Sequence, residues 1–201
     1  MGGWRIAQIQ IGVMQGRLLP KYNGHYQAHP VDYWEDEFPI ASTLGLSSIE
    51  FILDYNGYKK NPLLTKSGRQ KIKSITDKTG VKVLSVCADY FMESPLHSKC
   101  ERSVQKSIEV LYDLMDAAVF LGIKDIVIPC VDKASILSPN ARSRFINVIQ
   151  DICLRFEKNN INLSLETDLG PTDFANILET INSRSVTVNY DIGNRHIFNI
   201  K

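Results

Sequence analysis

The sequence has no apolar run long enough to cross a bilayer. Its longest candidate, Ile123–Val131, is strand-sized and interrupted by Lys124 and Asp125, against the ~20 residues that a membrane-spanning helix needs. The opening MGGWRIAQ lacks the apolar core of a secretory leader, and Ile6 stands where a myristoylation signal wants Ser or Thr. Cysteine is scarce. The four residues Cys87, Cys100, Cys130 and Cys153 form no CxxC pair, which argues against a zinc knuckle or a disulfide frame and predicts reduced thiols in a cytoplasmic protein. An excess of one charge is missing too. Lys and Arg number 23, Asp and Glu 22, for a net charge of +1, so no broad basic surface for nucleic acid is expected. Neither a GxGxxG turn nor a GxxxxGK[ST] loop occurs. After the first β-rich run comes Gln15-Gly16-Arg17-Leu18-Leu19-Pro20.

What is present is an ordinary globular composition, 44% hydrophobic and 22% charged over 201 residues, read as one domain over residues 1–201. Short β-rich runs alternate with amphipathic stretches. The runs are Ile9–Met14, Ser48–Leu53, Lys82–Cys87, Asp125–Cys130, Asn162–Glu166 and Val186–Asp191. The predicted helices cover Tyr33–Leu44, Thr65–Thr79, Glu101–Leu121, Asn140–Asn159 and Thr172–Ile181. Leu111, Leu114, Met115, Ala118 and Val119 recur at helical spacing as one apolar stripe. Gly45, Gly80, Gly122 and Asn159-Asn160 sit where helices end, and Ser138-Pro139 and Gly170-Pro171 where they begin. Such alternation implies parallel strands joined by right-handed crossovers.

An open doubly wound sheet and a (β/α)8 barrel of the TIM type both satisfy that order. Side-chain parity favours the barrel. Alternate residues share a face of a strand, and the sets Glu50/Ile52/Asp54, Val83/Ser85/Cys87/Asp89, Ile126/Ile128/Cys130/Asp132, Asn162/Ser164/Glu166 and Thr187/Asn189/Asp191 each end in a polar residue. A sheet covered on both sides would be apolar throughout. A barrel turns one set inward, and at its C-terminal mouth the inside is the active site. Six strands are counted and ten residues follow Asp191, whereas a full barrel takes about 250 residues. The expectation is therefore an incomplete barrel with about six parallel strands. Its bare edges would favour self-association or a homo-oligomer.

Glu166 and Asp191 are the strongest chemical pair. Each acid ends a run, faces inward by parity and belongs to a neighbouring βα unit. Two such carboxylates need a cation or a proton between them, and a divalent metal held by oxygen ligands meets that need. Ion pairs with Lys or Arg would meet it as well.

Ile11–Arg17, Ser48–Phe51, Val83–Asp89, Asp125–Pro129, Leu163–Glu166 and Tyr190–Asn194 together resemble the xylose isomerase-like barrel superfamily, in its sugar-phosphate isomerase/epimerase branch. The resemblance runs along nearly the whole chain. It implies a divalent metal (Mn, Mg, Zn or Co) held by a Glu ending strand five and an Asp ending strand six, which map to Glu166 and Asp191. A His from strand seven and a Glu from strand eight complete that set in the family and have no counterpart here; His196 follows Asp191 too closely. Glu166 would then be the catalytic acid/base, acting beside the carbonyl of a sugar or sugar phosphate. Arg17, Glu50, Asp89, Asp132 and Asn194 are the candidates to touch substrate. The polar, aromatic loop Lys21–Pro30 has the length of a lid or binding segment, and Tyr22, Tyr26 and Tyr33 could stack on a sugar ring. His25 and His29 would pair on a metal only in a helix, which Gly24 and Pro30 oppose. Two other classes remain in view. One is an inactive barrel that needs a partner. The other is a DNA-repair endonuclease of the same superfamily, opposed by four His, by Cys-Ala-Asp in place of His after the third run and by the small net charge.

Overall fold

The computed structural model describes residues 10–192. Six strands form one sheet: β1 (Gly12–Met14), β2 (Ser48–Ile52), β3 (Lys82–Cys87), β4 (Asp125–Cys130), β5 (Asn162–Thr167) and β6 (Val186–Val188). All pairs are parallel and the strands lie in sequence order, so among the described residues β1 and β6 are the edges. The crossovers carry α1 (Glu37–Thr43), α2 (Lys66–Thr79), α3 (Tyr90–Glu93), α4 (Glu101–Leu121), α5 (Pro139–Asn159) and α6 (Pro171–Ile181). This is the expected partial barrel of α/β type.

The ends of the elements follow from local chemistry. Thr65 and Ser138 cap α2 and α5, accepting the amides of Gly68 at 3.1 Å and Ala141 at 3.3 Å, which satisfies donors that the first turn leaves over. Pro139 and Pro171 open α5 and α6, where the missing N–H costs nothing. Asn160 and Asn182 close the same two helices in the left-handed conformation, at φ 53° and 49°. The first helix starts later than its sequence pattern predicts. Trp34–Asp36 form a 3-10 turn before α1. The last strand likewise ends at Val188, three residues short of Asp191.

The two faces of the sheet differ. On the helix side, Phe51, Leu53, Ile126, Ile128, Leu163 and Leu165 join Phe38, Leu111, Leu114, Phe145 and Phe156 in one continuous core. Each fully buried side chain of this size contributes about 1.5–3 kcal/mol. The other face carries only a small apolar cluster, Ile52, Cys87 and Val127 with Met14 against them. Polar side chains fill the rest, as expected for the inside of a barrel.

Two of the predicted inward sets need correction. Between β2 and β3 the register slips, with Ile49 opposite Val83 but Phe51 opposite Val86. Leu84 and Ser85 thus face Glu50 together, a β-bulge that reverses parity. Val83 therefore packs into the helix-side core, while Ser85 and Cys87 stay inside. In β4 the whole set is reversed. Ile126, Ile128 and Cys130 face the helices, and Asp125 and Val127 face inward. The sequence misleads here because β4 is apolar on both faces. Asp132, the polar end of the predicted set, lies beyond the strand in a 3-10 turn with φ +50°, where strand alternation no longer applies.

Candidate active site

The inward face carries a ladder of polar groups. Ser85 Oγ donates to Glu50 Oε2 at 2.5 Å. Asp125 Oδ1 accepts Asn162 Nδ2 at 2.9 Å and Ser164 Oγ at 3.0 Å, and Ser164 meets Thr187 at 2.9 Å. Farther toward the mouth, Asn189 Nδ2 donates to Glu166 Oε2 at 2.9 Å. Leu165 pairs with Val188, so the residue beside Glu166 on the next chain segment is Asn189. Asp191 follows two residues later and is exposed. Of the two acids singled out from the sequence, Glu166 thus lies in β5 beside Asn189, whereas Asp191 lies three residues past the end of β6.

Cys87 lies at the centre of this face. Its Sγ donates to Asp89 Oδ1 at 3.1 Å. Burial pushes the thiol pKa well up, and the charges of Asp89, Glu50 and Glu166 add to the effect. It is therefore a neutral donor and not a nucleophile. Burial likewise raises Glu50, aided by the charges of Asp89 and Asp125 and opposed by the Ser85 bond. Asp89 is raised by burial and by the charge of Asp54. Asp54 is raised by burial, against the pull of the His29 amide.

The segment between β1 and α1 is strapped over this face by side chains from other elements. Glu37, wholly buried at the start of α1, accepts the amides of Gly16 at 2.8 Å and Leu18 at 3.1 Å. Gly16 has φ +87°, and a Cβ there would come within 2.4 Å of the Tyr26 carbonyl oxygen, so only glycine fits. Gln15 Oε1 accepts the Ile52 amide at 3.0 Å and His29 Nδ1 at 3.1 Å. The His29 amide in turn donates to Asp54 Oδ2 at 2.8 Å. His29 is 4% exposed, and its Nε2 has no hydrogen-bond partner among the described residues. Burial holds the imidazole down to about 4, because a charged ring could not be solvated there.

Beneath the strap lies a cavity of about 730 Å³. Tyr22, His25, Gln27, Asp54, Tyr55 and Asp89 are among its walls, whereas Glu166, Asp191 and Arg17 are not. It therefore occupies the mouth over β1 to β3, to one side of Glu166. Arg17 is exposed, its Nη2 donating to Gln27 Oε1 at 3.1 Å, and Gln27 also hydrogen-bonds Asp89. Asp132 is exposed in its turn. Asn194 lies outside the described residues. His25 and His29 are not in a helix; His25 pairs with Tyr22 in an antiparallel bridge. Tyr22 lines the cavity, whereas Tyr26 is exposed with Lys21 over its ring.

Asn189, Asp54, Gln27 and Glu37 were not among the sequence candidates. Asp54 and Asn189 stand in the inward sets and were findable by parity alone. Glu37 carries no such signal, since its role depends on where a loop 19 residues earlier turns back. Among the described residues no group of three or more His, Cys, Asp or Glu side chains is placed to hold a metal.

Helices outside a six-stranded parallel sheet, with carboxylates near the strand ends, make a partial barrel of the TIM type, a fold whose active sites lie at the C-terminal mouth. Residues 38–200 match the xylose isomerase-like TIM barrel family, and the chain belongs to it. A Haemophilus influenzae protein, SgbU, named as an L-ribulose-5-phosphate 3-epimerase, is 29% identical over 94 residues, 46% of this chain and 33% of that protein. The 3-keto-D-glucoside 4-epimerase YcjR from E. coli has the same fold at TM-score 0.72 and 13% identity, over 96% of this chain and 72% of its own. A Mycobacterium smegmatis xylose isomerase-like barrel in complex with magnesium matches at TM-score 0.67 and 17% identity, over 92% of this chain and 65% of its own. The chain thus spans a third of the curated relative's length and under three quarters of either structure's. No helix among the described residues is long and apolar enough to cross a membrane.

Proposed function

We propose that the chain acts as an isomerase or epimerase of a sugar or sugar phosphate, with Glu166 moving a proton on the carbon next to a carbonyl. The observation that carries this reading is the place of Glu166. It lies at the mouth end of β5 on the inward face, with Oε2 held by Asn189, in a family whose relatives include proteins named as sugar epimerases. The carboxylate takes the proton, and the C–H electron pair forms a C=C bond as the carbonyl π pair moves onto oxygen. The enediolate is reprotonated on the neighbouring carbon for isomerisation, or on its opposite face by a second acid for epimerisation. Asn189 keeps one carboxylate oxygen oriented for that transfer. Glu50, raised toward its neutral form, is suited to exchange hydrogen bonds with a sugar hydroxyl.

Glu166 and Asp191 offer two oxygen donors, a partial set. It suits a hard divalent cation, which commonly takes one or two protein carboxylates and fills its remaining positions with water and substrate oxygens. Such an ion would supply positive charge for the enediolate oxygen. The direct test is deuterium exchange from solvent into the α-carbon of ketoses, followed by proton NMR with magnesium or manganese present. Exchange by the wild-type chain is expected. Glu166→Gln should lower it by about 10²- to 10⁴-fold with an unchanged circular dichroism spectrum. An undiminished rate in the variant rejects Glu166 as the base, and no exchange in the wild type rejects the activity.

A further inference from the structure

Proton transfer at Glu166 leaves the cavity beneath the strap unused. Its volume of about 730 Å³ falls within the range of ~300–1,000 Å³ typical of small-ligand sites. Its walls combine the rings of Tyr22, Tyr55 and Tyr58 with four carboxylates, Asp32, Asp54, Asp89 and Glu93. The lysines on the wall are Lys60 and Lys133, and Lys133 is already paired with Glu93. Asp89 feels the charge of Asp54. Carboxylates accept from hydroxyls, and tyrosines offer both an aromatic face and a donor. Against these carboxylates stand Lys60 and, beside Asp54, His25, so a phosphate dianion brought here would face a wall on which acids outnumber bases, in a partly desolvated space.

The cavity also borders the catalytic face. Asp89 lines it and accepts the Cys87 thiol at 3.1 Å, and that thiol feels the charges of both Glu50 and Glu166.

We infer that this cavity takes the neutral, polyhydroxylated part of the substrate and disfavours a phosphorylated one, so that the chain acts on an unphosphorylated sugar, free or as a glycoside. The inference rests on the epimerase reading above and narrows it. It also separates this chain from the relative named for a pentulose phosphate.

Titration calorimetry on the full chain tests it, with EDTA present and at low ionic strength. The probes are D-fructose against D-fructose 6-phosphate, and D-ribulose against D-ribulose 5-phosphate. At least one neutral sugar should bind at least tenfold more tightly than its phosphate ester, and the gap should narrow as salt screens the wall. Tyr55→Ala, at a side chain 44% exposed, should weaken the neutral sugar without harming the fold. Asp32→Lys, also at an exposed position, should strengthen the ester relative to the neutral sugar and so narrow the gap between them. Equal or tighter binding of the esters overturns the proposal, as does failure of both neutral sugars to bind or indifference to Tyr55→Ala. Selective sugar binding without deuterium exchange sinks the epimerase reading and spares the site. Exchange confined to the phosphate esters does the reverse.

Discussion

His29 shows how one buried ring can set a pH dependence. In the unfolded chain an imidazole titrates near 6.5, and in the fold it titrates at about 4. The folded value is the lower one, so the neutral ring's contribution is complete above the unfolded value and is lost as pH falls toward 4. The loss is on the order of 3 kcal/mol. Glu37, Glu50, Asp54 and Asp89 are shifted upward by burial, and their contributions grow as pH falls. The comparison of wild type with His29→Gln cancels them. In urea unfolding, the wild type should lose its stability advantage over the variant between pH 7 and pH 4; a constant difference rejects the burial argument. At this scale the sequence was legible where alternation holds. Glu50, Cys87 and Glu166 stand on the inward side as their parity says, and Asp89, in the turn after β3, joins them by accepting the Cys87 thiol. Asp132 does not, because a residue with φ +50° has left the strand that was used to count it. Glu37 could not be read at all, since a helical acid on an apolar stripe looks like a surface charge until the loop it holds is seen.

At the scale of elements, strands and helices were legible because each carries its own punctuation. Capping residues, left-handed asparagines and glycines and the 3.6-residue stripe all act within a turn or two of where they stand. Ser138 is such a residue. Its Ala variant should destabilise the chain by about 1 kcal/mol, seen as a lower thermal midpoint, whereas Asn140→Ala, exposed one residue inside α5, should leave it unchanged. Equal midpoints for wild type and Ser138→Ala would remove the cap from the account. Register is different in kind. The bulge opposite Glu50 is fixed by the pairing of two strands 34 residues apart, Ser48 with Lys82, and nothing within β3 announces it. It matters for the site, because without the extra residue Cys87 and Asp89 would turn toward the helices.

For the molecule as a whole, one core cluster runs from Trp34 in the first crossover to Val186 in the last strand. Cooperative loss of that core predicts a single thermal transition, with circular dichroism at 222 nm and tryptophan fluorescence giving the same midpoint. Trp34 is 5% exposed and reports on the first crossover, while helical signal reports on all of them. Two separated midpoints would show that the early and late βα units unfold independently.

The carboxylate of Glu37 has a consequence at this scale. With the Gln15 and Asp54 contacts it fixes both ends of the span from Gly16 to His29 to the barrel wall, leaving the exposed middle, Tyr22 to Tyr26, to close on itself through one short bridge. Because Tyr22 and His25 line the cavity, side chains exchanged in that middle should alter what the mouth admits while the anchored ends hold their place.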